Sequence, residues 1–157
     1  MIIYLKESTD NDMPLILAWR NNPLLYKYTY TQGYLGGGAI SWETHYKWWN
    51  EHRDWWRYII KVSDDMGYRP VGYIQFNDWG DGLADIGIYL GEITLWGKGI
   101  GKQSLYLGLN ELKKKGFIKA RADILPSNKR SQRMFLSLGF IRIENRREGE
   151  WSYEKIL

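Results

Sequence analysis

Three glycines at alternating positions, Gly97, Gly99 and Gly101, separate a segment with the pattern of a β-strand, residues 84–90, from one with the pattern of an α-helix. Glycine tolerates the backbone angles of a tight turn and lets a ligand approach the main chain closely. A helix that begins directly after such a turn presents unpaired N–H groups, and its dipole favours negative charge there. The segment 96–102 therefore predicts a strand, a turn and a helix start that together bind a phosphate group.

The spacing of these glycines excludes the two most common nucleotide-binding loops. A P-loop needs a glycine five residues before the glycine of its Gly-Lys-Ser/Thr, but that position is Trp96, and Gln103 follows Gly101 and Lys102. The dinucleotide fingerprint would need a third glycine at the position of Lys102. At this point a plain turn before a helix remains the alternative to an anion site.

A second motif lies farther along, where residues 128–135 read Asn-Lys-Arg-Ser-Gln-Arg-Met-Phe and Gly139 and Phe140 follow. The two motifs together resemble those of the GCN5-related N-acetyltransferase (GNAT) superfamily. Its acetyl-CoA loop reads Gln/Arg-x-x-Gly-x-Gly/Ala, and its later segment reads Asn-x-x-Ala/Ser-x-x-x-Tyr. Trp96 stands where the family usually has Gln or Arg. The Trp-Gly-Lys-Gly form, together with Trp-Arg-Asn at 19–21, resembles the branch of ribosomal-protein N-terminal and amino-sugar acetyltransferases.

The resemblance implies that acetyl-CoA is the co-substrate and indicates which residues bind it. They are Ile88, Tyr89, Leu90, Trp96, Gly97, Lys98, Gly99, Ile100, Gly101, Lys102, Asn128, Ser131 and Phe135. In the family, the loop N–H groups take the pyrophosphate, and the preceding strand splays from its neighbour to bond the pantetheine. Carried over, a backbone N–H near Leu90 would polarise the thioester carbonyl, Asn128 would bond the pantetheine arm, and Phe135 would pack near the thiol.

The resemblance also implies direct attack of an amine on the thioester, through a tetrahedral intermediate. Many relatives have a tyrosine at the position of Phe135 to protonate the leaving thiolate, and phenylalanine has no proton to donate. Ser131 is a substitute acid, with a tight helix–cofactor contact as the alternative explanation of its small side chain. A thiol with a pKa of about 8.5 can also leave without a dedicated acid.

A general base must keep the attacking amine neutral. Asp85, at the start of the strand that faces the cleft, is the leading candidate and would act through water; an exposed residue at the hairpin edge is the alternative. The weaker candidates are Glu92, Glu43 and Glu150.

Periodicity predicts an α/β (α+β) fold in the order β-α-α-β-β-β-α-β-α-β-β, which is the order that the superfamily shows. Its mixed, mostly antiparallel sheet would contain about six to seven strands flanked by about four helices. Strands are predicted at 2–7, 55–63, 70–77, 83–90, 118–124, 140–145 and 151–156, and helices at 10–20, 41–53, 100–115 and 128–138. Residues 24–40 form the least regular stretch, which we expect to be a mobile connection beside the acceptor site.

Composition is that of an ordinary globular chain, with 157 residues, 44% of them hydrophobic and 25% charged. We expect residues 1–157 to form one acetyl-CoA-dependent N-acetyltransferase domain. No apolar run is long enough to span a membrane, and the N-terminus lacks the features of a signal peptide. Because there is also no cysteine, we expect a cytoplasmic protein without disulfides. A homodimer stays open as an alternative to a monomer.

Two histidines, His45 and His52, share a predicted helix face with Trp48 and Trp49. The face lacks an acidic third ligand, so we expect it to pack against the sheet and predict no metal site. The net charge of +4 comes from basic residues concentrated in the second half of the chain. A basic rim that attracts the phosphates of CoA explains them better than a nucleic-acid surface, which we do not expect.

The acceptor amine is the least constrained part of the prediction. Five of the nine tryptophans lie in the segment 42–56, which in the family builds the acceptor side. They would form either an aromatic wall or ordinary core. A protein N-terminus and an amino-sugar nucleotide are the favoured acceptors, ahead of a polyamine or an aminoglycoside. A polyamine would need a rich carboxylate cluster, and Lys47, Arg53 and Arg57 suit an anionic nucleotide-sugar better. A non-catalytic CoA-binding module of the same fold is the competing functional class, and Phe135 is its main support.

Overall fold

The structure is a computed structural model that describes residues 1–29 and 38–157. The described strands are β1 (Ile2–Glu7), β2 (Trp56–Asp64), β3 (Gly67–Asp78), β4 (Leu83–Leu90), β5 (Lys119–Ile124), β6 (Ile141–Ile143) and β7 (Trp151–Ile156). The described helices are α1 (Met13–Arg20), α2 (Pro23–Tyr26), α3 (Trp42–Glu51), α4 (Ile100–Lys114) and α5 (Lys129–Ser137). Short 3-10 turns at Asp10–Asp12 and Ile93–Leu95 precede α1 and the glycine turn.

The predicted order of elements is confirmed, with one helix added. The extra helix, α2, is a single turn that begins at Pro23, and the Asn22 side chain caps it by accepting a hydrogen bond from the N–H of Leu24. It occupies the start of the stretch 24–40 that was predicted to be irregular. The central part of that stretch, 30–37, lies outside the described residues.

The seven strands of the described chain form one sheet in the order β1-β2-β3-β4-β5-β7-β6. All neighbouring strands are antiparallel except β4 and β5, which are parallel and are connected through α4. The predicted mixed, mostly antiparallel sheet is therefore confirmed. A crossover helix is the expected connection for a parallel pair.

Each face of the sheet buries its own hydrophobic cluster. Successive side chains of a strand point to opposite faces, and Ile60 and Ile74 accordingly pack with α4 and α5, whereas Ile59 and Tyr73 pack with α1, α2 and α3. The sheet is thus a central layer between two helical layers, and any cleft that opens between its strands lies at the centre of the molecule.

Some predicted boundaries are wrong for identifiable reasons. β3 begins at Gly67 rather than at Pro70, because the register shifts between Ile60 and Lys61 of β2 opposite Pro70, and such a bulge accommodates a residue without an N–H. α3 begins after its predicted cap, Ser41, but ends at Glu51, before the predicted end at 53. Within residues 1–29 and 38–157, no helix is both long and apolar enough to cross a membrane.

Candidate functional site

The sheet opens into a fork between β4 and β5. β4 pairs with β3 from Ala84 to Leu90, but in the described chain its pairing with β5 ends at Asp85, opposite Arg121. Beyond that rung β5 continues to pair with β7, as far as Ile124. The two parallel strands therefore diverge, as the resemblance implies, and the edge of β4 beyond Asp85 faces a gap.

Alternation along β4 decides which residues turn their backbone toward the gap. The N–H of Gly91 donates to Val71 of β3 over 2.9 Å, and alternate residues of an antiparallel strand face away from the partner. Ile88 and Leu90 therefore turn their N–H and C=O groups toward the gap. Tyr89 turns its backbone toward β3, and its side chain lies on the face of the sheet that packs with α1, α2 and α3.

The glycine turn leaves a helix start with unpaired donors. Gly97 and Gly99 have φ angles of 78° and 81°, values that other residues rarely adopt. Gly99 is the N-cap of α4, and no side chain caps this helix. The first helical N–H with a backbone acceptor is that of Gln103, which bonds to Gly99 over 3.1 Å. The preceding N–H groups of the helix, among them that of Gly101, are therefore available to an anion.

Gly101 lies in close contact with α5. A Cβ at this position would lie 3.1 Å from the sulfur of Met134, on α5. The absence of a side chain thus lets α5 pack close to the first turn of α4 at the gap.

A groove of about 220 Å³ joins the gap to the start of α4. Most of the residues predicted to bind acetyl-CoA line it: Ile88, Tyr89, Leu90, Trp96, Gly97, Gly99, Ile100, Gly101, Lys102, Asn128 and Ser131. Lys98 is exposed in the turn and does not line the groove. Among the described residues no Asp or Glu contributes to the lining, whereas Lys102 and Arg130 do. The groove is therefore apolar along its walls and electropositive at the loop.

Trp96 fixes the loop to the forked strand. Its indole Nε1 donates to the carbonyl oxygen of Leu90 over 3.0 Å, and the guanidinium of Arg130 lies 4.6 Å from the ring centroid. The ring also meets Tyr28 edge to face, with the centroids 6.3 Å apart. The sequence placed Trp96 in the loop but gave no sign that its indole bonds to β4.

The second motif begins the helix on the other side of the gap. Asn128 is the N-cap of α5, and its side-chain oxygen accepts a hydrogen bond from the N–H of Ser131 over 3.3 Å. Phe135 is 2% exposed and packs edge to face on Phe140, with the centroids 4.9 Å apart. Phe135 borders the larger cavity described next but not the groove. The structure thus places Phe135 in the core. The resemblance had implied a contact between Phe135 and the cofactor near its thiol.

A second, larger cavity of about 560 Å³ adjoins the groove. Ile88, Tyr89, Asn128 and Ser131 line both spaces, so the two meet at the gap between β4 and β5. A cofactor arm in the groove and an acceptor in the larger cavity would meet at these residues.

Asp85 stands where β4 and β5 part, and its side chain, 23% exposed, lines the larger cavity. Its Oδ1 atom is buried without a hydrogen-bond partner among the described residues and lies 3.9 Å from Nη2 of Arg146. Burial raises the pKa of Asp85 to about 6, against the opposing effect of Arg146. The alternative of a solvent-exposed edge residue is therefore wrong. A carboxylate with this pKa is ionised near neutral pH and is a stronger base than an ordinary aspartate.

The other candidate bases are placed less favourably. Glu43 lies in the first turn of α3 and is exposed, and Glu92 accepts a hydrogen bond from Trp19. Neither lines the larger cavity. Glu150 does line it, but is 5% exposed and forms an ion pair with Arg147. Asp85 combines cavity access with an oxygen that has no hydrogen-bond partner in the described chain.

Aromatic side chains form part of the wall of the larger cavity. Of the tryptophans in the segment 42–56, Trp48 and Trp55 line it, whereas Trp49 is 2% exposed and belongs to the core. Both explanations of the tryptophan cluster are therefore partly right. Trp79, from the turn that connects β3 and β4, also lines the cavity, and no sequence signal had assigned it there.

The basic residues that had suggested an anionic acceptor lie elsewhere. Lys47 forms a surface ion pair with Glu51 and Arg53 with Asp10. Arg57 donates to two backbone carbonyls and is not in contact with the larger cavity. The arginines that do line the cavity come from α1 and from the connection between β6 and β7.

The prediction that the histidine-bearing face of α3 packs against the sheet holds for Trp49, which lies with Ile59 and Tyr73, whereas the histidines contact other parts of the chain. His45 is fully buried, and its Nε2 lies 3.0 Å from the carbonyl oxygen of Met13. His52 stacks on Trp55 with the ring centroids 4.1 Å apart. In the described ranges, no group of three or more His, Cys, Asp or Glu is placed to hold a metal ion.

Comparison with known proteins agrees with this geometry. Residues 3–141 match the family described as "Acetyltransferase (GNAT) domain". An uncharacterised protein of Methanocaldococcus jannaschii is 41% identical over 152 residues, a match that covers 97% of this chain and 31% of that protein. The chain thus spans less than a third of the length of the curated relative that it matches.

Solved structures extend the comparison. A crystallised domain from Methanocaldococcus jannaschii is 41% identical, with a TM-score of 0.92 and coverage of 99% of both chains. An aminoglycoside acetyltransferase in complex with coenzyme A has a TM-score of 0.80 at 19% identity, over 99% of this chain and 95% of that one. The ribosomal protein L7/L12 α-N-acetyltransferase RimL, also with coenzyme A, has a TM-score of 0.75 at 18% identity, over 99% and 94% of the two chains. At these lower identities the likeness shows a shared fold.

Proposed function

Because the chain belongs to the acetyltransferase (GNAT) family, we propose that it moves the acetyl group of acetyl-CoA onto the primary amine of a protein N-terminus or an amino-sugar nucleotide. Residues 1–157 act as one catalytic domain in this proposal. The observation that carries it is the uncapped start of α4, which opens onto the gap between β4 and β5 and connects there with the cavity of Asp85.

The residues of the groove fit acetyl-CoA by their chemistry. The N–H groups at the start of α4, with Lys102 and Arg130 beside them, suit a pyrophosphate. The N–H and C=O of Ile88 and the N–H of Leu90 suit the amides of an extended pantetheine arm, because they face the gap unpaired with β5; the carbonyl of Leu90 already accepts from Trp96. Bound there, acetyl-CoA supplies the thioester that the amine attacks.

The amine must lose a proton before it can attack. An alkylammonium has a pKa of about 10 and an α-amino group one of about 8, so a base is needed more for the first. Asp85 would take this proton, through water, from an acceptor in the larger cavity. The N–H of Leu90 would stabilise the negative charge that develops on the carbonyl oxygen.

Release of the thiolate needs no proton donor at position 135, where this chain has phenylalanine. In this proposal Ser131, which lines both spaces, contacts the cofactor, and the thiolate leaves by virtue of its low basicity. This distinguishes the protein from relatives that place a tyrosine at the same position.

The test is release of free thiol from acetyl-CoA in the presence of a panel of amines: an acidic peptide with a free N-terminus, an amino-sugar nucleotide, a polyamine and an aminoglycoside. The proposal expects CoA binding together with amine-dependent thiol release, greatest with one of the first two. CoA binding without release on any amine would leave the non-catalytic module as the function. Greatest release with the polyamine or the aminoglycoside would refute the assignment of the acceptor.

A further inference from the structure

The larger cavity contains an arginine that the proposed chemistry leaves unused. Arg20, at the end of α1, lines this cavity. The cavity's other arginines have acidic partners: Arg146 pairs with Asp123, and Arg147 with Glu150. No ion pair joins Arg20 to a carboxylate within the described ranges, and residues 30–37 contain no Asp or Glu. Burial lowers the pKa of Arg20, and a guanidinium that is partly removed from water without a counter-ion is costly for the fold.

Neutral groups hold Arg20 in place without cancelling its charge. Its Nη1 lies 3.1 Å from Nδ1 of His45, and the opposite ring nitrogen of His45 lies 3.0 Å from the carbonyl oxygen of Met13. A carbonyl can only accept, so Nε2 carries the proton and Nδ1 accepts from Arg20. Burial, followed by the charge of Arg20, lowers the pKa of His45 to about 4. The guanidinium also lies over Trp48, with Cζ 4.5 Å from the ring centroid.

A second unused donor, the hydroxyl of Tyr89, lies close enough to Arg20 for the charge of the arginine to act on the pKa of the tyrosine. The hydroxyl of Tyr89 is buried without a hydrogen-bond partner among the described residues, and Tyr89 lines the larger cavity together with Arg20. Burial raises the pKa of Tyr89 well above its usual value, so the hydroxyl keeps its proton. Tyr73, packed against Tyr89 with the ring centroids 5.4 Å apart, is by contrast satisfied, because its hydroxyl donates to Gln75 over 2.7 Å.

We propose that Arg20 and Tyr89 form an anion subsite that selects a small amine acceptor carrying a phosphate or carboxylate group. The guanidinium offers its planar fork to two oxygens of that group, and the phenol donates a further hydrogen bond. His45 is a positioning residue that holds the fork. The subsite rests on the proposed acetyl transfer, and it favours anionic amines over polyamines and aminoglycosides, whose charge Arg20 repels.

The first test measures binding alone, so that it does not depend on turnover. The protein is saturated with CoA to fill the groove, and inorganic pyrophosphate is then titrated calorimetrically. Arg20→Gln should weaken pyrophosphate binding by about 10- to 100-fold, the range for a hydrogen bond between charged groups. Arg20→Lys, which keeps the charge but not the fork, should fall between, and Tyr89→Phe should weaken binding by up to about tenfold.

The second test uses amines that differ by one anionic group: glucosamine against glucosamine 6-phosphate, and ethanolamine against phosphoethanolamine. Thiol release should favour the phosphorylated member of at least one pair. Arg20→Gln should remove that preference by raising KM for the phosphorylated amine, with kcat within about threefold, because a binding contact that is equal in the ground and transition states changes KM. A His45→Gln variant should lower the preference partway.

Arg53→Gln is the matched control, since it removes the same charge from an arginine that pairs with Asp10 at the surface. It should leave both measurements unchanged. The subsite is refuted if the CoA-saturated protein does not bind pyrophosphate, if Arg20→Gln and Arg53→Gln bind it alike, or if neutral amines are preferred. Pyrophosphate binding that depends on Arg20, without thiol release on any amine, would support the subsite and refute the proposed acetyl transfer. Should Arg20→Gln fail to fold, Arg20→Lys and Tyr89→Phe decide the matter.

Discussion

The groove and the larger cavity meet at the same strand but are built in opposite ways. The groove offers backbone N–H groups, apolar walls and, in the described chain, no carboxylate. The larger cavity offers side chains of both charges, brought together from α1, β4, β5 and the chain before β7, and uncharged side chains from α3 and β3. If the groove binds the cofactor and the larger cavity the acceptor, as proposed, cofactor binding would depend on backbone geometry and acceptor choice on individual side chains. Substitutions should therefore separate the two functions.

The largest effect should come from forcing a side chain into the turn of the groove. Gly99→Val requires a β-branched residue at a φ of 81°, which is strongly disfavoured and costs roughly 1–2 kcal/mol or a rearranged turn. We expect the dissociation constant for CoA, measured by calorimetry, to rise by more than about 100-fold, because a rearranged turn misdirects several N–H groups at once.

Gly80→Val is the matched control for backbone strain. Gly80 also has a positive φ, 83°, with open space where a Cβ would lie, but it belongs to the turn between β3 and β4. The control should lose a similar free energy of unfolding and keep its affinity for CoA. An unchanged CoA affinity in Gly99→Val would place the cradle elsewhere.

On the acceptor side, Asp85→Asn should lower kcat/KM by about 100-fold or more, within the usual range for a general base. The wild-type kcat/KM should rise with pH through about 6 as the Asp85 carboxylate ionises, and the variant should lack this rise. CoA affinity should not change. Asp65→Asn, in the exposed turn between β2 and β3, is the control and should keep the wild-type profile.

Asp85→Asn should lower activity but raise the stability of the folded protein near neutral pH. Because folding raises the pKa of Asp85 from 3.8 to about 6, the wild-type protein loses stability as pH rises through this window. Asp85→Asn should therefore be more stable above pH 6, by up to about 3 kcal/mol, and little changed below pH 4. A variant that loses both activity and stability at pH 7 would mean that Asp85 has a structural role instead.

A smaller effect is expected at the helix that closes the groove. Asn128→Ala removes the cap of α5 and should lower the free energy of unfolding by about 1 kcal/mol. It should also weaken CoA binding by up to about tenfold if the side chain bonds the pantetheine arm. Ser41→Ala, which removes the cap of α3, should cost the same stability and no CoA affinity. Equal CoA affinities in the two variants would reduce Asn128 to a capping residue.

The smallest effect is expected at Ser131. If the thiolate leaves without an acid, Ser131→Ala should lower kcat by no more than about threefold, as steady-state thiol release would show. A general acid usually contributes about 100- to 10,000-fold. A loss in that range would make Ser131 the proton donor, in the role that Phe135 cannot fill.

The sequence predicted the groove well because the groove is local. The glycine turn, the strand before it and the cap of α5 each lie within one short segment, so the spacing of residues along the chain is enough to identify them. The fork between β4 and β5 followed from the resemblance. Trp96 could be placed, but its bond to Leu90 needed the folded turn.

The larger cavity was predicted poorly because tertiary packing assembles it. The sequence shows which residues are charged but not which of them form ion pairs. Arg53 pairs with Asp10, which is distant in the chain, whereas Arg20 has no carboxylate partner in the described chain. The sequence also does not show that Asp85 is buried. Its pKa is raised by burial at the point where β4 and β5 diverge. Trp79 lines the cavity from the turn between β3 and β4, whose sequence gives no sign of this position.

The fork couples the protein's stability to the supply of its co-substrate. Only the pairs at Leu83, Ala84 and Asp85 connect β4 with β5 in the described chain, so the sheet gives up hydrogen bonds that a closed ladder would make. A cofactor arm bound in the gap, as proposed, would act as the missing strand. At a concentration 100 times its dissociation constant it would add about 2.7 kcal/mol to the free energy of unfolding. Where acetyl-CoA is scarce, β5, β7 and β6 would open more often, and the protein would be degraded sooner.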